Sequence, residues 1–254
     1  MEKLQKKTSY TKINILFYSL GIITLLLVWF ILSIYENSVI VPSILDVIID
    51  IGKLLSEGKN LLLILFTILK IIVIVTIAFV ISFLMALASL KSIKIRYYFS
   101  PIVSFMRTIP VASFVVILLI LIGSKFAPVV ITLFVLIPII YESIYTTFIQ
   151  VDKDIVEETK LISNIDFKVI MLVFVPMCMK TLLSCLLSSF GLGLKVLIMS
   201  EVITQGSNTI GGIIANEKSS FFNMTRVFSW TIILIIIILL IEIVIKTIDK
   251  KMDK

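Results

Sequence analysis

The sequence is dominated by apolar runs that are long enough to cross a lipid bilayer. A hydrocarbon core of roughly 30 Å needs about 20 consecutive apolar residues in a helix. Of the 254 residues, 59% are apolar and only 15% are charged, which leaves no room for a large soluble domain. We therefore predict an all-α polytopic membrane protein, a single domain over residues 1–254 with about six spans, at about 13–34, 61–90, 102–122, 126–148, 176–204 and 227–246.

The residue types that are missing or isolated argue against an enzyme. The chain has no histidine, which excludes histidine-based zinc sites and triads that use a histidine base. Its two cysteines, Cys178 and Cys185, lie in one apolar run without the spacing of metal ligands. We expect no metal or cofactor on this chain. The basic residues lie between spans rather than on one accessible face, so we also expect no nucleic-acid partner.

The distribution of Lys and Arg predicts how the spans are oriented. Basic residues concentrate around residues 3–12, 91–96, 153–180 and 246–254, and they are sparse in the remaining connections. Cytoplasmic connections are the ones enriched in Lys and Arg. This pattern predicts that both termini lie in the cytoplasm. The apolar run 13–34 is too long for a signal peptide and is interpreted as a retained first span.

The connection at residues 36–60 has an amphipathic pattern. Apolar residues at helical spacing alternate with Asp46, Asp50, Lys53 and Glu57, and Ser43 is placed as a helix N-cap. We expect an external helix that lies at the membrane surface. Whether this helix also contacts a partner stays open.

The cytoplasmic connection at about 150–175 is the most charged part of the chain. Asp154 followed by Glu157 resembles a capping box and predicts a short helix to about Ile162. Ser163 and Asn164 then predict a turn. A second helix is expected from Asp166, ending before Pro176. Two short helices at an angle would form a docking surface on the cytoplasmic face.

This segment resembles the permease subunits of bacterial ABC importers, in particular the nitrate/sulfonate/taurine branch of the binding-protein-dependent transport family. Those permeases carry a cytoplasmic Glu-Ala-Ala, three residues and Gly, followed about a dozen residues later by Leu-Pro. Here the corresponding residues are Glu157-Glu158-Thr159-Lys160-Leu161-Ile162-Ser163, then Val175-Pro176. The spacing is kept, but Glu158 and Thr159 replace two alanines and Ser163 replaces the glycine, so Asn164 is the candidate for the turn.

Other elements occur in the order found in that family, between about residues 41 and 246. The matching positions are Val41-Pro42-Ser43, Lys70, Phe105-Met106-Arg107-Thr108-Ile109-Pro110, Gly191-Leu192-Gly193-Leu194-Lys195 and Ser200-Glu201, followed by the region from Gly206 to Phe222. No single element is specific, and the order and spacing carry the resemblance.

The resemblance implies a type I ABC importer in a bacterial cell membrane. It implies a second permease copy, with a homodimer expected and a heterodimer open, and two ATP-binding cassette subunits that carry the ATP and Mg. It also implies an extracytoplasmic solute-binding protein and a surrounding lipid membrane. The substrate would be a small solute such as a sulfonate- or nitrate-like anion or a vitamin precursor. Coupling to the ATPase would fall on Glu157, Glu158, Thr159, Lys160, Ser163 and Asn164.

Charged residues within the spans are the candidates for the translocation pathway. A charge at the centre of a span costs about 2.5–3.5 kcal/mol, so each one needs a partner, a water-lined cavity or an exit to the interface. Arg107 and Pro110 mark an expected helix break, with interface anchoring as the alternative for Arg107. We expect Glu142, Lys195 and Glu201 to face the dimer axis or one another, and a structural pair between Lys195 and Glu201 stays open.

Two further predictions concern Lys70 in the second span and the segment that follows the fifth span. Lys70 is expected to reach the interface along its own aliphatic stem. Asn208, Gly211 and Gly212 are expected to begin an external loop, which in the family faces the binding protein; a plain surface loop is the alternative.

An ion-coupled secondary transporter is the main alternative to an importer subunit. Such transporters are built from internal repeats with paired broken helices. Residues 13–122 and 126–246 show no convincing repeat of one another. A membrane-embedded enzyme or an assembly scaffold are the other classes, and the chain has no clustered nucleophile and base.

Overall fold

A computed structural model describes residues 2–36, 40–151, 167–219 and 222–252. All the regular structure in these ranges is helical. The all-α fold predicted from the long apolar runs is confirmed. The predicted helix that begins near Asp154 and the turn at Ser163 and Asn164 lie outside the described residues.

Eight helices account for nearly all of the described chain. They are α1 (Glu2–Tyr35), α2 (Ile44–Ser56), α3 (Gly58–Lys91), α4 (Ile93–Thr108), α5 (Val111–Ile149), α6 (Val175–Thr204), α7 (Ile210–Ser219) and α8 (Met224–Met252). A helical turn at Phe167–Val169 and a π-helical segment at Ile170–Phe174 lead directly into α6.

Four helical stretches in the described ranges are long and apolar enough to cross a membrane: Gly58–Lys91, Val111–Ile149, Ile170–Thr204 and Met224–Val244. Ser19–Tyr35 is a shorter apolar stretch. The sequence predicts about six spans, with 102–122 and 126–148 as two of them. In the structure, α5 runs from Val111 to Ile149 with an interruption at Gly123, and residues 102–108 belong to α4. At about 1.5 Å per residue, the 39 residues of α5 would extend about 58 Å if straight, far beyond a single bilayer core.

Gly123 interrupts α5 between the two predicted spans 102–122 and 126–148. Its φ of 78° and ψ of 170° are not helical, and such a backbone is accessible to glycine because it has no Cβ. The predicted helix break near Arg107 and Pro110 is also present. Helix α4 ends at Thr108 and α5 begins at Val111, after Pro110.

The prediction that a helix ends before Pro176 is wrong. The chain stays helical from Phe167 to Thr204 and passes Pro176 in the first turn of α6. A proline lacks the amide hydrogen and crowds the carbonyl four residues before it, so an α-helix normally breaks there. The wider π turn at Ile170–Phe174 immediately before it is the local rearrangement that accompanies the passage of this proline.

The chain divides into two compact units. One consists of Met1–Glu57 and Glu217–Ile232, and the other of Gly58–Asn216 and Ile233–Lys254. Within the first unit, Ser43 caps α2 as predicted: its hydroxyl oxygen accepts a hydrogen bond from the Asp46 amide (3.2 Å) and donates one to the Asp46 carboxylate (2.7 Å).

The second unit has its core where α3, α5 and α6 pack together. Gly193 of α6 allows the close approach, since a Cβ there would lie 2.9 Å from Ile71 of α3 and 3.1 Å from Leu136 of α5. Small residues are common where membrane helices meet. The Ser82 hydroxyl of α3 also donates a hydrogen bond to the Ile137 carbonyl of α5, at 2.9 Å. These contacts hold the three helices that position the charged side chains described next.

Candidate functional site

The most deeply buried charge in the second unit is Glu201, near the end of α6. It is 1% exposed, and one of its carboxylate oxygens lies 2.8 Å from Nζ of Lys70 on α3. Lys70 therefore does not escape to the interface along its stem, as predicted, but forms an ion pair between two apolar helices. An opposite charge nearby is what allows a carboxylate to remain buried in such surroundings.

The other carboxylate oxygen of Glu201 accepts a hydrogen bond from the Gly211 amide, at 3.4 Å. Gly211 is the second residue of α7, whose amides are not used within the helix at this end. The partial positive charge of a helix N-terminus stabilises a carboxylate there. We refer to Lys70, Glu201 and Gly211 as the Glu201 cluster, in which each oxygen of the carboxylate has a donor.

A short reversal of the chain brings α7 back to α6. Helix α6 ends at Gln205, which has a left-handed φ of 48°. Thr209 then closes the turn: its hydroxyl donates to the Gly206 carbonyl (2.8 Å) and accepts from the Gly212 amide (3.0 Å). This arrangement is an N-cap, and it directs the first amides of α7 toward the end of α6.

The prediction that Gly211 and Gly212 lie in an external loop is wrong. Both are buried in the first turn of α7. A Cβ at Gly211 would lie 2.7 Å from the Ile198 carbonyl oxygen and from the Val202 amide, and one at Gly212 would collide with the Gly206 carbonyl. These glycines serve the contact between α6 and α7, which has no room for a side chain.

Asn208 is exposed in the turn, with a left-handed φ of 55° that asparagine tolerates better than most residues. Its predicted contact with a binding protein stays a prediction. Of the three predicted loop residues, it is the one that remains on the surface of this subunit.

Lys195 does not pair with Glu201. The six residues between them turn an α-helix by about 600°, which places the two side chains on different faces, whereas pairs three or four residues apart share a face. Lys195 is exposed, while Glu201 faces α3 and α7. Glu201 therefore pairs with Lys70 and not with Lys195.

The second group of charges joins α4 and α5. Both terminal nitrogens of Arg96 approach the carboxylate of Glu142, each at 3.1 Å, in a fork geometry. The same guanidinium lies over the Tyr145 ring, 4.1 Å from its centroid. Glu142 is thus paired within its own subunit with Arg96, and not with Lys195 or Glu201; its predicted position at the dimer axis stays a prediction.

Tyr141 connects this pair to α3. Its side chain is fully buried, and its hydroxyl lies 2.9 Å from the Ser89 hydroxyl and 2.8 Å from the Arg96 guanidinium, which donates to it. Partial burial opposes the charge of Arg96, but the hydrogen bonds to Glu142 and Tyr141 outweigh it, so the pKa of Arg96 lies above its ordinary value. We refer to Ser89, Arg96, Tyr141, Glu142 and Tyr145 as the Arg96 cluster.

Arg107 and Pro110 flank the interruption between α4 and α5, and both are exposed. The Ile109 amide still donates to the Phe105 carbonyl, at 3.3 Å, so the backbone turns away only after α4 has closed. No ion pair involves Arg107 in the part of the chain that the structure describes. Pathway lining and interface anchoring both remain open for this residue.

The predicted coupling residues lie outside the described ranges. They are Glu157, Glu158, Thr159, Lys160, Ser163 and Asn164. The structure describes the chain on either side of them: α5 ends at Ile149, and the chain is helical again from Phe167.

The second unit also has an apolar cavity of about 260 Å³. Side chains of α3, of the π-helical segment and of α6 surround it: Phe79, Phe83, Met171, Val175, Met179, Leu182, Leu183 and Leu186. No charged or hydrogen-bonding side chain is among them. This cavity therefore offers nothing to hold an anionic solute.

Five residues of the two clusters were not assigned to a site from the sequence: Lys70, Ser89, Arg96, Tyr141 and Tyr145. One signal could have paired Lys70 with Glu201. A lysine in the body of an apolar span calls for an acidic partner, and few acidic residues lie in the spans. Arg96 and Tyr141 had no such signal, because a basic residue near a span end satisfies the positive-inside rule without a partner.

A comparison with protein-family models matches residues 78–254 to the family described as "Binding-protein-dependent transport system inner membrane component". The match covers the Arg96 cluster and, in the Glu201 cluster, Glu201 and Gly211. A search of curated protein sequences gave no match.

Two solved structures resemble the chain in fold. Both show inward-facing conformations of the MetNI methionine ABC transporter, one from a selenomethionine soak and one from native crystals. The first has a TM-score of 0.62 and the second 0.59, each at 14% sequence identity over 77% of this chain and 98% of the matched chain. At this identity the likeness concerns the fold.

Proposed function

Because the chain belongs to the family of binding-protein-dependent transport system inner membrane components, we propose that it passes a small solute from an extracytoplasmic solute-binding protein into a bacterial cell. The predicted resemblance to ABC importer permeases and the type I permease fold are confirmed. The match over residues 78–254 is the observation that carries the proposal. A sulfonate- or nitrate-like anion or a vitamin precursor is the proposed substrate class, which rests on the sequence resemblance to one branch of the family.

The chain is a permease subunit, and its homologues of this class are not catalytic. We place ATP and Mg on two separate ATP-binding cassette subunits. The permease itself would act in two copies, with both termini in the cytoplasm. The orientation rests on the concentration of basic residues in the connections assigned to that side.

The coupling role belongs to residues 150–175 in this proposal. A helix leads into the segment from Ile149, and another leaves it at Phe167. A displacement of the segment would therefore act on two long helices at once. Movement of a docked helix in an ATPase groove is rigid-body transmission and needs no chemistry in the segment itself. Glu157, Glu158, Thr159, Lys160, Ser163 and Asn164 are the residues assigned to the docking.

The five intramembrane candidates divide into two classes with different proposed roles. Glu142 and Glu201 have cationic partners within the subunit and serve to hold helices together. Arg107, Pro110 and Lys195 are exposed on the surface of the subunit. We assign the pathway along the dimer axis to these three. The exposed charges of Arg107 and Lys195 need water or a partner outside their own chain within a membrane, and Pro110 lies at the helix break next to Arg107.

The test is ATP hydrolysis by the reconstituted complex of permease, cassette subunits and solute-binding protein. We expect Glu157→Ala and Ser163→Pro to assemble but to lose the stimulation of hydrolysis by the binding protein. Lys94→Ala is the matched control, since it removes an exposed charge predicted to lie on the same face of the membrane outside the segment.

Two outcomes would contradict the proposal. Full stimulation in both variants would remove the coupling role of the segment while leaving the importer assignment intact. The secondary transporter would be favoured if no cassette subunit associated with the unsubstituted permease and if an ion gradient drove solute uptake.

A further inference from the structure

Helix α2 is fixed in one rotational setting by contacts within the first unit. Val47 and Leu54 are buried, at 0% and 2% exposure. Between them, Asp50 forms an ion pair with Arg226 at 3.1 Å, and the Ser229 hydroxyl donates to the Val47 carbonyl at 3.4 Å. One face of α2 is therefore occupied by its own chain, against the beginning of α8.

The opposite face of α2 is apolar and uncovered. Leu45, Ile48 and Ile49 are 71%, 58% and 56% exposed, and Leu55 is 42% exposed. At 100° per residue these side chains and Gly52 fall within a stripe of about 120°, opposite to the buried face. We call Leu45, Ile48, Ile49, Gly52 and Leu55 the exposed stripe. It contains no polar side chain.

The exposed charged residues of α2 and its C-cap lie together beside the exposed stripe. Asp46, Lys53 and Glu57 are all exposed and follow each other at helical spacing along one flank. A helix with an apolar face and a charged edge can lie in the plane of a membrane interface, with the apolar side turned to the acyl chains and the charges to water.

The neighbouring helix α1 has an apolar surface suited to lipid. Between residues 19 and 35, α1 exposes many apolar side chains, including Leu25, Leu27 and Phe30, as expected of a helix embedded in lipid. Trp29 of α1 donates its indole hydrogen to the Pro42 carbonyl, at 3.2 Å, just before α2 begins. Tryptophan is enriched at the level where acyl chains meet headgroups.

The C-terminal end of α2 is joined directly to the next helix, as the N-terminal end is held by the contact of Trp29 with Pro42. Glu57 caps the helix, and the next residue, Gly58, already begins α3. No linker is available to carry this end of α2 away from the start of a membrane-spanning helix. Both ends of α2 therefore lie near the surface of the bilayer.

We propose that α2 is a lipid-binding interfacial helix whose exposed stripe inserts into the leaflet on the side opposite to the N-terminus. Lipid fits better than a protein partner, because protein interfaces combine an apolar centre with a polar rim, whereas this stripe is apolar from Leu45 to Leu55. The insertion would fix the depth at which the connection between α1 and α3 enters the membrane. This proposal is independent of the transported solute.

The test uses the full-length chain in vesicles of phosphatidylcholine and phosphatidylglycerol. After replacing Cys178 and Cys185 by serine, single cysteines are introduced as Ile49→Cys on the exposed stripe and Lys53→Cys on the charged flank, and each is labelled with a small fluorophore. Both positions are exposed, so neither label displaces packed protein. Quenching is measured with iodide in the water and with nitroxide-bearing lipid in the bilayer.

We expect the label at position 49 to be quenched several-fold more by the nitroxide lipid than by iodide, and the label at position 53 to show the reverse. Equal quenching of both labels by iodide would place the stripe in water and overturn the proposal. Shielding of position 49 from both quenchers would place it against protein, such as a second copy of this chain, and would also overturn it.

Discussion

The Glu201 cluster and the Arg96 cluster both hold a carboxylate against a cation from another helix, yet they do so in different ways. Glu201 is 1% exposed and uses a single contact to Lys70 together with the N-terminus of α7. Glu142 is 27% exposed and is held by a two-pronged guanidinium that also lies on an aromatic ring. In the first arrangement both oxygens of a buried carboxylate have a donor. In the second, a partly exposed carboxylate is held by the orientation of the guanidinium.

The two carboxylates should therefore respond differently to substitution of their partners. The Glu201 carboxylate is buried and would be left uncompensated, whereas the partly exposed Glu142 carboxylate can be partly hydrated. The four predictions below test that contrast, beginning with the largest expected effect.

Glu201→Ala should reduce the free energy of unfolding by up to about 3 kcal/mol, the cost of leaving a buried donor without its acceptor. It leaves the Lys70 ammonium without its carboxylate and the Gly211 amide without its acceptor. The measurement is thermal unfolding of the purified permease in detergent. The double variant Lys70→Met and Glu201→Met should be closer to wild type than Glu201→Ala, since it removes both charges. A double variant as unstable as the single one would show that the Gly211 contact, not the charge, dominates.

Gly211→Ala should lower stability by about 1–3 kcal/mol, the range for adding volume to a packed site. The new methyl group would lie 2.7 Å from the Ile198 carbonyl oxygen and the Val202 amide, both of which are backbone atoms that cannot rotate away. The same unfolding measurement applies. Gly52→Ala is the control, because a Cβ there meets nothing within 4 Å. Equal behaviour of the two variants would contradict the close contact between α6 and α7.

Arg96→Lys should cost about 1 kcal/mol, less than either change in the Glu201 cluster, because the site is partly open to solvent. Lysine keeps the charge but loses the fork geometry and the flat contact with Tyr145. Unfolding of Arg96→Lys is compared with that of Arg96→Glu combined with Glu142→Arg, which restores opposite charges. A loss as large as that of Glu201→Ala would show that the two clusters do not differ as described.

Lys195→Ala should change stability by less than about 0.5 kcal/mol, as is usual for an exposed residue without a packed role. It shares α6 with Glu201 and therefore serves as the internal reference for that helix. Solute uptake by the reconstituted importer is the second measurement. Reduced uptake at unchanged stability would support the pathway role, and unchanged uptake would remove Lys195 from the pathway.

Much of the fold could be predicted from the sequence because membrane spans follow from local composition. The position of the break at Pro110, the non-helical glycine at Gly123 and the cap at Ser43 were also predictable, since each depends on the backbone preferences of one or two residues. The helical passage through Pro176 was not, because a π turn depends on how the adjoining helices hold the chain.

The site was predicted less completely, and the errors share one cause. Glu142, Lys195 and Glu201 were correctly singled out as charges that need an explanation in lipid, but their partners could not be read from sequence spacing. Glu201 meets Lys70, which lies 131 positions away in the chain, and Glu142 meets Arg96, 46 positions away. Gly211 and Gly212 were assigned to a loop because glycine fits a turn as readily as a close helix contact.

Local sequence is enough to establish that this protein spans a membrane, that its structure is helical and that no histidine chemistry is available to it. These properties depend on hydropathy, helix length and residue type, which need no knowledge of neighbours. Which charges are neutralised inside the subunit and which remain on its surface follows from the packing of the helices. That division depends on the rotation and packing of α3, α5 and α6, and a rotation is set by long-range contacts that no local pattern records.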